Sequence, residues 1–256
     1  MGDGERLRHE PTVNAWQLLR PRHNRRFTKT EYERRYNLNQ LQCFEAALNQ
    51  CSRSFQQARS TLDFGCGSGR LLQPLMQLVP SATFSGCDVS PMAVAQCRHR
   101  CAGSTVIQNA TTPPLDFEEK AFDLIYSYSV FTHLSESNHL AWLKELTRTL
   151  MPGGVMLHTT HSCESIRRMA QFSPRQLPKY QLSDRVETFI TNWRGFHYVV
   201  DDPSTSEYGL AVISKDYVLQ RWPAVTGLRL LAYVEGAIEA YPEGCQDLVI
   251  LAKESS

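Results

Sequence analysis

The hydrophobic positions change period several times along the chain. From residue 38, Leu38, Leu41, Phe44, Leu48 and Phe55 recur at helical spacing, and Thr61–Phe64 then reads as a short buried strand. Leucines and Met76 return at helical intervals over 69–78, and ATFSGCD (82–88) is a second strand. Ser90-Pro91 opens the next helix, a capping hydroxyl followed by proline in the first turn. Thr105–Gln108 and AFDLIYSYS (121–129) supply strands three and four. Over 135–150, Leu140, Leu143, Leu146 and Leu150 share one helical side; Pro152-Gly153-Gly154 stops that run, and VMLHTT (155–160) is a fifth strand. Strands alternating with helices through 60–160 predict βαβ units in an α/β fold, a Rossmann-like, doubly wound and mostly parallel sheet.

Past residue 163 the rhythm breaks. Residues 164–207 carry Pro174, Pro178, Pro203 and many polar positions, with one aromatic-rich run, WRGFHYVV (193–200). The sheet is expected to resume with GLAVIS (209–214), a helix from Ser214 to Trp222, and the strands LRLLAYV (228–234) and DLVILAK (247–253). A connection of only about 11 residues with no helical pattern requires the last two strands to pair antiparallel. The expected organisation is an N-terminal arm or lid (1–36) followed by a single domain (37–256) with an insert at 164–222.

Composition narrows the class. At 42% hydrophobic the chain buries a sizeable core, and a net charge of +1 gives no overall bias toward nucleic acid or membrane. Arg20, Arg22, Arg25, Arg26, Lys29, Arg34 and Arg35 concentrate in the arm, which reads as a flap over a small-molecule site ahead of a nucleic-acid contact. The eight cysteines contain no C-x-x-C pair, and Cys97 and Cys101, one helical turn apart, read as helix residues; no metal is expected. The opening MGDGERLRHE has no apolar core and no apolar run approaches ~18 residues, so the expectation is a reduced, cytoplasmic protein without a membrane partner. Nothing here fixes an oligomeric state.

The chemistry concentrates in LDFGCGSGR (62–70). Gly65, Gly67 and Gly69 stand at alternate positions, and Arg70 occupies the place where a dinucleotide fingerprint needs its third glycine. Such a turn lets a ligand approach the backbone beyond the carboxyl ends of the strands. Asp88 follows about 20 residues later, where a carboxylate accepts from ribose hydroxyls.

Together, LDFGCGSG, Asp88, FDLIYSYSVFTHL and LMPGGVMLHTT resemble the class I S-adenosylmethionine-dependent methyltransferases across residues 40–163, and the closing hairpin fits that family's last strands. The resemblance implies a seven-stranded sheet with an antiparallel last strand, and S-adenosylmethionine as cofactor. Asp63 and the Gly65-Cys66-Gly67-Gly69 backbone are implied to line its methionine and ribose, with Asp88 on the ribose and Val89 against the adenine. Asn109, followed by Ala110, stands where the family usually has an aspartate that accepts from the adenine amino group. Ser127 and Ser129 either border the sulfonium methyl or merely cap the strand.

The acceptor is less defined. The Asn/Asp-Pro-Pro-aromatic pattern of base-amine methyltransferases and the Pro-Cys nucleophile of cytosine-C5 enzymes are missing, and hydroxyls replace the acids of catechol-type enzymes. The expectation is metal-independent transfer to an oxygen of a small molecule, such as a sugar or natural product. A histidine suits removal of the hydroxyl proton; His161 is placed first and His133 second, each with packing as the alternative. Trp193, His197, Tyr198 and Tyr208 form either an aromatic wall for substrate or a hydrophobic cluster under the insert. Gln246 beside Asp247 either touches substrate or caps the hairpin. An RNA methyltransferase using the basic arm, and a non-catalytic protein on the same fold, are the competing readings.

Overall fold

The computed structural model describes residues 29–182, 186–200, 208–240 and 244–255. Its strands are β1 (Ser60–Phe64), β2 (Thr83–Asp88), β3 (Thr105–Gln108), β4 (Phe122–Ser127), β5 (Leu150–Thr160), β6 (Phe196–Val200), β7 (Gly209–Ile213), β8 (Arg229–Ala240) and β9 (Gly244–Ala252). Between them lie α1 (Lys29–Gln50), α2 (Leu72–Leu78), α3 (Pro91–Arg100), α4 (Glu136–Thr149), α5 (Cys163–Phe172), α6 (Val186–Asn192) and α7 (Lys215–Thr226). Most of the basic arm lies outside the described residues.

Seven strands form one sheet in the order β3-β2-β1-β4-β5-β9-β8. β1 to β5 are mutually parallel, and β9, the last strand in the chain, runs antiparallel to both β5 and the edge strand β8. Central strands are apolar on both faces because helices cover both. In β9, Leu248 and Ile250 face α1, α2 and α3, while Val249 and Leu251 face α4 and α7. The helices start where short side chains satisfy their first N–H groups: Ser90, Ser135, Ser162 and Ser214 cap α3, α4, α5 and α7. No described helix is long and apolar enough to cross a membrane.

Several elements differ from the sequence expectation, residues 209–213 and the final hairpin most. Residues 209–213 do not rejoin the main sheet: β7 pairs antiparallel with β6 in a separate two-stranded sheet. The far edge of β5 is already taken by β9, so β7 satisfies its backbone against the ends of the central strands. Gly209, Ala211 and Ile213 donate their N–H groups to the carbonyls of His133, Thr132 and His161. The final hairpin is also longer than expected, pairing out to Ala240 opposite Gly244. A bulge between Val234 and Ile238, where Gly236 has φ +60° and donates its N–H to Asp247, breaks the alternation that marks a strand.

The insert has its own core. Ile166, Met169, Tyr180, Leu182, Phe189 and Val212 bury against one another, from α5, α6, β7 and the segment that joins α5 to α6. It is tied to the sheet through β7, which therefore spans the carboxyl edge.

Candidate active site

The glycine turn follows β1 and is anchored to β2 by its own backbone. The N–H groups of Gly65 and Cys66 both donate to the carbonyl of Cys87, at 2.8 and 2.9 Å. All three glycines are left-handed, with φ of +78°, +53° and +77°. Their reasons differ. A Cβ on Gly65 would lie 2.3 Å from Val130 Cγ2, and one on Gly69 2.5 Å from Cys101 Sγ, whereas one on Gly67 meets nothing within 4 Å. Gly65 and Gly69 allow close internal packing; Gly67 keeps open space above the loop.

Asp88 ends β2 and is fixed from two sides. Its Oδ2 accepts from the Gly67 N–H at 2.8 Å and its Oδ1 from the Ser90 N–H at 2.9 Å. Each oxygen keeps acceptor capacity for a ligand hydroxyl. Asp88 lines a cleft of about 330 Å³ together with Gly65, Val89, Asn109, Ser129, His133 and Tyr208, walled by Phe64, Val130, Leu134 and Trp142. Val89 is 45% exposed, an open apolar side chain. Asn109 donates its Nδ2 to the Ala110 carbonyl at 2.7 Å, which fixes the amide orientation and leaves Oδ1 buried without a partner. Ala110 itself is exposed and contributes that carbonyl rather than a wall of the cleft.

β4 ends earlier than expected because Ser129 is left-handed at φ +58°. Three contacts hold it there: its N–H donates to Thr159 Oγ1 at 2.8 Å, its hydroxyl pairs with Thr132 Oγ1, and Gln246 Nε2 donates to its Oγ at 2.9 Å. A non-glycine residue held in this region marks a position over-determined by its surroundings. Gln246 is buried at the start of the active-site half of β9, behind Ser129, and its Oε1 has no partner.

The histidines separate. His133 lines the cleft; its Nδ1 lies 2.9 Å from the Gly209 carbonyl, and its ring stacks on Tyr208 at 4.7 Å and 8°. A carbonyl only accepts, so Nδ1 carries the proton and the lone pair resides on Nε2. His161 does not reach the cleft: it is 2% exposed, with Nδ1 beside the Tyr180 hydroxyl at 3.3 Å. Burial holds it neutral, lowering its pKa to about 3.

Other expected site residues also lie elsewhere. Ser127 is fully buried and pairs with His158 Nδ1 at 2.8 Å, since β4 alternation turns it away from the cleft. Cys66 points into the core beneath the loop, against Gly86. Asp63 is buried opposite Tyr126 in the β1–β4 register, and burial pushes its pKa up to about 8. His197 packs edge-on to Phe189 and Trp193 and bonds the Tyr180 carbonyl, inside the insert. The Tyr198 ring lies against Gly209. Of the expected aromatic wall, only Tyr208 lines the cleft. The sequence reading missed Trp142, whose Nε1–H holds the Thr111 carbonyl at 3.1 Å; its place in the leucine-rich helix masked it as core. Among the described residues, no three His, Cys, Asp or Glu side chains are arranged to hold a metal ion.

Residues 61–154 match the profile of a family described as a methyltransferase domain. The chain is 32% identical over 102 residues to a ubiquinone biosynthesis O-methyltransferase of Cereibacter sphaeroides, covering 39% of this chain and 40% of the relative. It is 31% identical over 110 residues to a fatty-acid O-methyltransferase of Mycolicibacterium smegmatis, covering 40% and 37%. The alignments thus span about two fifths of these relatives' length. Among solved structures, a SAM-dependent methyltransferase from Methanosarcina mazei aligns with a TM-score of 0.55 at 16% identity, covering 77% of this chain and 93% of that one. Human N-acetylserotonin methyltransferase in complex with SAM aligns at 0.53 and 15%, covering 86% and 52%. With the glycine turn, the Asp88 carboxylate and the strand order in place, residues 61–154 are similar to a methyltransferase domain and the sheet has the fold of the SAM-dependent methyltransferases it aligns with.

Proposed function

We propose that this chain transfers the methyl group of S-adenosylmethionine to an oxygen of a small-molecule acceptor, with His133 taking the acceptor's proton. Three features fit the donor. Asp88 offers two fixed oxygens to a ribose diol, Val89 offers an exposed apolar face to a base, and the unpartnered Asn109 Oδ1 offers an acceptor to an exocyclic amine. When bound, the donor supplies a methyl carbon activated by its sulfonium.

The chain's own work is to align an acceptor, exclude water and remove a proton. The apolar walls of Phe64, Val130 and Leu134 serve the first two tasks. The third falls to His133, and one observation carries it. The Gly209 carbonyl fixes Nδ1 as the protonated nitrogen, so Nε2 is the basic one, on a ring held flat by Tyr208. Two of the similar proteins are named as O-methyltransferases, which supports oxygen as the acceptor atom. The acceptor class we infer is a sugar or natural-product hydroxyl, since the cleft combines apolar walls with the hydroxyl-bearing Tyr128, Ser129 and Tyr208.

The test is release of S-adenosylhomocysteine with a panel of glycosides, phenols, carboxylic acids, amines and RNA. Turnover on a hydroxyl, with the methyl located on oxygen by fragmentation, is expected. Turnover restricted to amines or RNA contradicts the proposal.

A further inference from the structure

β7 lies between the turn that carries His133 and strand β6, and both press on it at Gly209. On the first side Gly209 holds His133 twice. Its N–H donates to the His133 carbonyl at 3.0 Å, and its own carbonyl takes the His133 Nδ1 proton at 2.9 Å. Tyr208, next in the chain, bridges its backbone to Leu134 and lays its ring on the imidazole at 8°. On the second side the space for a side chain is already filled. A Cβ on Gly209 would lie 2.2 Å from the Val199 carbonyl oxygen, and 2.8 and 2.9 Å from Cζ and Cε2 of Tyr198. Side-chain carbons do not approach a backbone oxygen that closely, so β6 comes this near only to a glycine.

The ladder explains how Tyr198 arrives there. Val200 stands directly opposite Gly209, and Tyr198 stands opposite Ala211. Tyr198 is thus the diagonal neighbour of Gly209 on the same face, within reach of a long aromatic side chain. Its ring covers the place where Gly209 has no side chain. Val199 is buried and Tyr198 half-buried, so this contact is packed from behind. A two-stranded antiparallel ladder needs no glycine at such a position, and glycine within a strand weakens it. What the close approach does achieve is to carry the packing of the insert, through one residue, to an atom in the cleft.

A neutral imidazole has one ring proton, and the partner of one nitrogen decides that the other is basic. We propose that Gly209 and Tyr198 are positioning residues that fix the tautomer of His133: Tyr198 presses Gly209 into place, and the Gly209 carbonyl keeps the proton on Nδ1 and the lone pair on Nε2. A side chain at 209 would force β6 and β7 apart or carry the carbonyl off the ring. The use of that tautomer in proton removal rests on the function proposed above; the contact that fixes it does not.

Nuclear magnetic resonance of the full chain, with its histidine ring nitrogens isotope-labelled, separates the two tautomers by chemical shift, and the His133→Asn spectrum identifies the His133 signals. The wild type should show Nδ1 protonated and Nε2 bare. Gly209→Ala should show a mixture, with turnover about 10²-fold lower and with acceptor KM and S-adenosylhomocysteine affinity unchanged. Tyr198→Ala should also mix the tautomers, whereas Tyr198→Phe, which keeps both ring atoms that face Gly209, should restore the single one. The two Tyr198 variants decide the matter if a melting curve shows Gly209→Ala to be unfolded. A wild type protonated on Nε2 overturns the proposal, and so do Gly209→Ala and Tyr198→Ala spectra identical to the wild type. A fall in affinity as large as the fall in turnover also overturns it, since the cleft as a whole would then have changed. Mixed tautomers with undiminished turnover uphold the contact and refute His133 as the base.

Discussion

The two halves of the cleft are built by different means. The half that includes Gly65 and Asp88 is fixed by backbone groups of adjoining turns. Gly65 and Cys66 hold the Cys87 carbonyl, and Gly67 and Ser90 hold the Asp88 carboxylate. The half that includes Ser129 and His133 is assembled from distant segments: His133 bonds Gly209, and Gln246 and Thr159 bond Ser129. One half is a local backbone device that any compatible side chains can surround. The other depends on where the insert and the final hairpin dock, so its specificity can change while the first half stays constant.

That contrast can be broken most decisively at His133. His133→Asn retains a donor to the Gly209 carbonyl but removes the basic nitrogen. Turnover should fall by about 10²–10³-fold with S-adenosylhomocysteine affinity unchanged; a parallel loss of affinity would show that the halves are not separable. Within the local half, Gly69→Ala combines a left-handed φ with a 2.5 Å clash and should cost about 3 kcal/mol of stability. Gly67→Ala meets open space and should cost only about 1 kcal/mol. Equal denaturation midpoints for the two variants would remove the distinction between packing and clearance glycines.

Asp63 gives the third test. Burial raises its folded pKa to about 8, against about 3.9 unfolded. The folded state keeps the proton across that interval, so this group favours folding below about pH 4 and loses its contribution as pH rises through about 8. Asp63→Asn cannot titrate, so its stability relative to wild type should be about 4 kcal/mol better at pH 8 than at pH 5. A constant difference in melting temperature would place a charged Asp63 in the fold. Smallest is Tyr208→Ala, which removes the stacking ring and should raise acceptor KM about tenfold while leaving donor affinity alone.

The same division decided what the sequence revealed. Gly65, Gly69 and Asp88 were legible because a tight turn and a fixed carboxylate demand particular residue types at particular spacing. Their different reasons were not legible, since Val130 and Cys101 arrive from other elements. His161 reads as a strand-exit residue facing ligand, but Tyr180 and β7 of the insert cover it. Residues 209–213 have the pattern of a sheet strand and are one; only the tertiary fold shows that β6 and the ends of the central strands, not β5, receive its backbone. Trp193 and His197 looked like a binding wall because a buried aromatic cluster and an exposed one have the same sequence.

The central claim is that Asp88, gripped by Gly67 and Ser90, holds the ribose of the methyl donor. Calorimetric titration of S-adenosylhomocysteine into wild type and Asp88→Ala, with both shown to be folded by melting curves, addresses it directly. The account predicts one site per chain in the wild type and affinity about 10²-fold weaker in the variant, about 2.7 kcal/mol. Equal affinities, or a wild type that does not bind, would contradict it.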